Sequence, residues 1–238
     1  MLIRPITYVL PLLLLGACVS MNNMRRGLER QWAQDVLLGA ESGSHRSGVV
    51  RWQRPVRFLV VDAPERLRVA VDAAFTQLRE ALEGLHRVEL DYVTRDDRRI
   101  GQQGFVTVFG KALAEAEPLA LRLGAMSPGP GADGWFTISW NSSYELTRAV
   151  VFIDPSLEKR WLRHTALEEL FQALGPSNDS GLLADSLVYE SGRVFGSSQR
   201  LARVDREVLR LLYGRLRPGS GQDEIRHAME QSWRFIGG

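Results

Sequence analysis

The chain is 238 residues long, 45% hydrophobic and 24% charged, and its 30 basic and 28 acidic side chains leave a formal charge of +2. That composition fits a globular protein with a substantial core. Lys111 and Lys159 are the only lysines, so the basic side is almost all arginine, scattered and opposed by acids, which argues against a nucleic-acid partner. Cys18 is the only cysteine, which excludes a disulfide scaffold.

The N-terminus carries Arg4, then an apolar run from Tyr8 to Leu15, then Gly16-Ala17-Cys18. The run is too short to span a bilayer and ends in small residues, as a secretory signal does. Leu15-Gly16-Ala17-Cys18 resembles the bacterial lipobox, which implies cleavage after Ala17 and lipidation of Cys18, with palmitate among the acyl chains. Several acyl chains anchor a protein stably where one would not. Val19 and Ser20 stand where an Asp would favour inner-membrane retention, so the resemblance implies the periplasmic face of the outer membrane. The chain thus divides into a signal peptide (1–17), a lipidated tether with a short helix (18–48) and a single domain (49–238).

Residues 19–27 read as the tether, and Leu28, Trp32 and Val36 as one face of the short helix, ended by the Ser/Gly-rich segment from Glu41 to Ser47. Val56–Val61 is an extended apolar strand. Asp62 and Pro64 mark a helix start, and Leu67, Val71, Ala74, Leu78, Leu82 and Leu85 form that helix's apolar face. Val88, Leu90 and Tyr92 alternate with Glu89 and Asp91 as in a half-buried strand, and residues 104–109 read as a more buried one. Residues 110–133 mix helix formers with Pro118 and a Pro/Gly loop. Residues 135–140 and 149–153 are two strands joined by the polar turn 141–144, the first of them at a sheet edge beside a cleft. Trp135, Phe136 and Trp140 on that strand are candidates to line a groove, against the alternative that they pack into the core. A helix follows over residues 157–174, stopped by Gly175 and Pro176. Two more helices, beginning at Leu201 and near Gln222, complete the pattern of an α/β (α+β) domain.

The helix from Leu157 contains Glu168-Glu169-Leu170-Phe171-Gln172-Ala173-Leu174-Gly175-Pro176-Ser177-Asn178-Asp179. This stretch resembles the HExxHxxGxxH(D) zinc helix of metzincin proteases. In that motif, ligands at i and i+4 share a helix face and a glycine turns the chain to bring in a third. Here the frame reads EExxQxxGxxND. The element order is similar to that of zincins, which implies a single domain with a zincin-like mixed sheet and helices packed on it. The chain is closer still to an uncharacterised family of bacterial envelope proteins, domain of unknown function 2927. The residues that carry this likeness are His164, Glu168, Glu169, Leu170, Gln172, Leu174, Gly175, Asn178 and Asp179, with the step Asp185-Ser186-Leu187 soon after.

The metzincin resemblance puts Glu169 at the general-base position and Glu168, Gln172 and Asn178 at the three zinc-ligand positions, where no imidazole remains. Oxygen and amide groups suit hard cations better than zinc, and the reading that needs no ion has Gln172, Asn178 and Asp179 hydrogen-bonding the helix end. The expectation is therefore no metal and no cofactor. His164 and Glu168, one helical turn apart, form a possible secondary polar site with Asp185 and Ser186. Glu168 and Glu169 project about 100° apart and cannot face each other as a glycosidase pair does, so they would need a partner such as Asp185. The resulting expectation is a lipid-anchored pseudoenzyme acting as a binding or scaffolding module for an envelope protein or peptide. The alternative is an unconventional peptidase or cell-wall hydrolase that uses Glu169 with an atypical metal site.

Overall fold

The computed structural model describes residues 10–40, 45–110, 118–119, 121–124, 132–192 and 194–235, with side chains from residue 23 onward, Phe195 excepted. Five strands form the main sheet: β1 (Val56–Val61), β2 (Val88–Val93), β3 (Phe105–Gly110), β4 (Gly134–Trp140) and β5 (Leu146–Ile153), in the order β2-β1-β3-β5-β4. The first four in that order run parallel, and β4 lies antiparallel to β5 at the edge. The central strands read as nearly unbroken apolar runs because both faces of a parallel sheet are covered.

Helices α2 (Glu65–Ala81) and α3 (Lys159–Gln172) follow β1 and β5 and pack against each other. Phe58 and Val60 of β1, Val106 and Val108 of β3, and Val151 and Ile153 of β5 point into the core beneath them. The alternate residues Val61, Phe109, Trp135, Val150 and Phe152 form a smaller cluster on the opposite face, closed by Val93, Ile100, Leu119 and Leu123. This mixed sheet with helices packed around it is the α/β domain anticipated above. Leu85 departs from its expected place, because α2 ends at Ala81 and the turn beyond it leaves Leu85 40% exposed. Most of the 110–133 segment and the 41–44 stretch lie outside the described residues.

The N-terminal helix α1 (Leu10–Leu38) differs from the expected tether, since residues 19–27 are helical. No proline interrupts this segment, and an Arg25–Glu29 pair one turn apart supports its continuation. Trp32, Ala33, Val36 and Leu37 are fully buried. Helix α1 packs against α5 (Gln222–Ser232) and thereby becomes part of the domain.

Two backbone devices set the end of α3. Its last carbonyls would be orphaned inside the core, and buried donors take them: Trp52 Nε1 donates to Ala173 O at 3.0 Å and the Tyr213 hydroxyl to Leu174 O at 2.7 Å. Gly175 then adopts φ +126°, and a Cβ there would lie 2.6 Å from Val50 O and 3.0 Å from Leu212 Cδ2. Tyr213 lies on α4 (Arg203–Gly214), at whose end Arg51 Nη1 donates to Leu212 O at 2.8 Å and, just past the helix, to Leu216 O at 2.7 Å.

Gly175→Ala is expected to lower unfolding free energy by about 2–5 kcal/mol, from backbone strain plus the clash. Gly84 has φ +73° but nothing within 4 Å of its Cβ position, so Gly84→Ala should cost only about 1–2 kcal/mol. Urea denaturation of the two variants checks the contrast, and equal losses would show that the Val50 contact is not what confines Gly175.

Candidate functional site

A cleft of about 750 Å³ opens between α3, the start of β4 and the hairpin of β6 (Glu190–Ser191) and β7 (Val194–Phe195). From α3 it is lined by Trp161, His164, Thr165, Glu168, Glu169 and Gln172, the face generated by steps of three and four along the helix. Asn178 and Asp179 reach it from the loop after Gly175, and Asp133 and Gly134 close it from the edge strand. The motif side chains at 168, 169, 172, 178 and 179, together with His164, therefore share one site. Gly175 contributes only the turn that delivers the last two.

These side chains bind one another. Gln172 Nε2 donates to Asp179 Oδ1 at 2.9 Å, and Asn178 Nδ2 to Asp179 O at 2.7 Å. Glu168 Oε2 stands 3.3 Å from His164 Nε2. Glu169 is buried, and Gly134 comes so close that a Cβ on it would sit 2.4 Å from Thr165 Cγ2 and 2.8 Å from Glu169 Oε1. The edge strand thus touches the motif helix at the one residue that has no side chain. Among the described residues no group of three or more His, Cys, Asp or Glu side chains is arranged to hold a metal ion.

The loop that carries Asn178 and Asp179 is pinned to the end of α1. Ser177 N donates to Val36 O at 3.0 Å, Ser180 Oγ to Asp35 Oδ2 at 3.2 Å, and a Cβ on Gly39 would meet the Asn178 amide at 2.6 Å. No sequence pattern marked α1 as a support of the site, because these contacts depend on backbone groups and small residues. Asp133, Trp161, Tyr189 and Glu190 were likewise missed as lining residues. Trp161 is only half-buried, edge-on to His164 with ring centroids 6.0 Å apart.

Asp185 and Ser186 are not brought to His164. Arg25 Nη2 donates to both Asp185 oxygens, at 3.0 and 2.9 Å, while Ser186 Oγ donates to the buried Asp205 at 2.9 Å. Asp185 is therefore unavailable as a second carboxylate for Glu168 or Glu169. The three β4 aromatics also separate. Trp135 stacks on Phe152 in the smaller cluster at 4.1 Å, Phe136 packs on the other face against the main core, and Trp140, 44% exposed, lies under Arg46. Successive strand residues point to opposite faces, so Trp135 and Phe136 cannot line one groove.

His164 is the titrating centre of the cleft. Burial pulls its pKa down, but the hydrogen bond and charge of Glu168, with the Ser198 carbonyl 2.8 Å from Nδ1, outweigh burial and hold it above the ordinary value. Both ring nitrogens face acceptors, an arrangement that favours the imidazolium. Burial and the neighbouring Asp154 raise the Asp133 carboxyl. With Asp133, Glu168, Glu169, Asp179 and Glu190 on its walls, the cleft is acidic around one cationic imidazole.

The model of a family described as "Protein of unknown function (DUF2927)" matches residues 27–231. No curated protein matches the chain.

His164 should titrate above pH 6.5 by NMR, and Glu168→Gln should bring it below, leaving burial as the dominant influence. Its contribution to stability is full below pH 6.5 and is lost as pH rises through the folded pKa. His86, pushed down to about 4 by burial and by Arg51, has the opposite sign, because its contribution is present above pH 6.5 and lost as pH falls toward 4. Were His164 to titrate below 6.5 in the wild type, the Glu168 pairing would not hold in solution.

Proposed function

The chain belongs to the family of domain of unknown function 2927, and we propose that this member is a lipid-anchored envelope protein whose cleft binds a ligand without zinc-dependent hydrolysis. One observation carries the reading: the groups at the three zinc-ligand positions of a metzincin helix are committed to internal contacts, Glu168 to His164, Gln172 to Asp179 and Asn178 to the backbone of the same loop. An incoming zinc ion would have to compete with His164 for Glu168 and would find amide oxygens in place of imidazoles at the other two positions, which is unfavourable on both counts.

The zincin-like character of the fold belongs to this proposal. It is supported by the strand order β2-β1-β3-β5-β4 with an antiparallel edge strand beside the motif helix. The partner we propose is an extended peptide of an envelope protein. Among the described residues strand β4 has a neighbour on one side only in its sheet, and its other side would offer main-chain donors and acceptors beside the cleft. The Cys18 anchor and the periplasmic face of the outer membrane rest on the lipobox-like tetrapeptide and on Val19 and Ser20.

A second reading, an unconventional peptidase or cell-wall hydrolase, is favoured by one feature. Glu169 is a buried carboxylate on the cleft wall, at the place where a general base would meet a peptide laid along β4.

Protein purified without chelator should contain zinc far below one equivalent and should leave peptides and muropeptides intact, with Glu169→Gln indistinguishable from wild type. Zinc near one equivalent, or turnover abolished by Glu169→Gln, would establish the hydrolase instead. Separately, Cys18→Ser should leave the unprocessed precursor or release the chain from membranes, and a normally matured, membrane-bound Cys18→Ser protein would refute the anchor.

A further inference from the structure

A second groove, of about 320 Å³, lies between the first turns of α2 and α3, on another side of α3 from the cleft. Its floor is Val69, Ala70 and Leu162, and its rim is Arg66, Lys159 and Arg163. No carboxylate lies within 4 Å of any of the three cations among the described residues. Glu65 and Glu158 adjoin them in sequence but form no ion pair with them. Arg66 is held in place by donating to the Leu157 carbonyl. Val69 stays 45% exposed, an aliphatic side chain left uncovered beside three positive charges.

The sheet topology concentrates this positive field. β1 and β5 run in the same direction, so α2 and α3, which follow them, both begin at the C-terminal ends of the strands. Neither helix has a side-chain cap hydrogen bond; Glu65 lies in the first turn of α2 and Glu158 is the N-cap residue of α3, whose first turn itself holds no acid. Two helix N-termini thus add partial positive charge to the three side chains.

We propose that this groove seats the headgroup of an anionic phospholipid, with Arg66, Lys159 and Arg163 around its phosphate and the first acyl carbons on Val69, Ala70 and Leu162. The cations require an anion, and the apolar floor requires that the anion carry hydrocarbon. A free phosphate would leave Val69 uncovered. An acidic peptide would need main-chain partners, and among the described residues no strand edge lines the groove. The inference uses neither the cleft nor the Cys18 anchor.

The test compares the full chain with an Arg66→Ala/Lys159→Ala/Arg163→Ala variant on phosphatidylcholine vesicles with and without phosphatidylglycerol. The reading is the increment due to phosphatidylglycerol, so binding through the apolar N-terminal segment cancels. Each cation beside an anionic lipid surface contributes roughly fivefold, and the triple variant should lose the increment by tenfold or more. Val69→Glu, which leaves all three cations in place and puts a carboxylate among them, should lose it as well. Dihexanoyl phosphatidylglycerol, titrated below its micelle concentration, should bind more tightly than inorganic phosphate. No phosphatidylglycerol increment in the wild type, an increment unchanged in both variants, or inorganic phosphate binding as tightly as the short-chain lipid would overturn the proposal. So would an acidic peptide that displaced the lipid at equal concentration.

Discussion

A helix that ends inside a protein must hand its last carbonyls to something, and the end of α3 hands them to Trp52 and Tyr213. Each such bond is worth only about 1 kcal/mol net, but removing a donor orphans a buried carbonyl at about 1–3 kcal/mol. The coupling goes further, because Arg51, the neighbour of Trp52, satisfies the end of α4 and lies over the Tyr213 ring at 4.9 Å. Two adjacent residues ahead of β1 therefore close two helices at once. Gly175 makes its turn in the space that remains, and everything the cleft receives from residues 178 and 179 depends on that turn.

The rest of the cleft wall is held by buried carboxylates with structural work. Asp205 is fully buried and accepts from Ala202 N, Ser186 Oγ and Leu187 N. Burial pushes its carboxyl up to about 6 against those bonds. The Asp-Ser-Leu step thus has a physical role away from catalysis: Ser186 and the Leu187 amide dock on α4 and start the chain toward the β6–β7 hairpin, while Asp185 turns outward to Arg25. Glu29 does the same for α1. It has no exposed surface and accepts from Arg25, Arg203 and, at 2.8 Å, Trp233 Nε1. A buried carboxylate with three donors is costly to disrupt, since the hydrogen bond lost with any one of them cannot be replaced by water.

The fold was legible where apolar periodicity is local. Val56–Val61 was read to the residue, and the edge position of the aromatic strand followed from its place in the element order. The motif frame also placed Glu168, Glu169, Gln172, Asn178 and Asp179 together, because helical spacing and a glycine turn are geometric statements. What failed were statements about tertiary direction. The tether of residues 19–27 continued a helix because nothing in it breaks one. Asp185 and Ser186 follow the motif closely in sequence but found Arg25 and Asp205, two partners that no spacing could nominate. Trp161 could not be told from core by periodicity, since a cleft wall and a core face repeat alike.

The charges of α3 run against its own dipole. Lys159 and Arg160 occupy its first turn, and Glu168 and Glu169 lie toward its end, with no acid in the first turn and no base in the last. Each reversed charge costs a helix about 0.3–1 kcal/mol when exposed, so local helix stability does not explain the order. Burial of Leu162, Ala166, Leu167, Leu170 and Phe171 offsets it, and that leaves α3 able to tolerate an arrangement it would not choose. The consequence is a helix whose two ends face different chemistry, a basic groove where it leaves the sheet and an acidic cleft where it reaches the Gly175 turn. A helix kept only to fill the core would gain from the opposite arrangement. The reversed order fits the two binding surfaces proposed above.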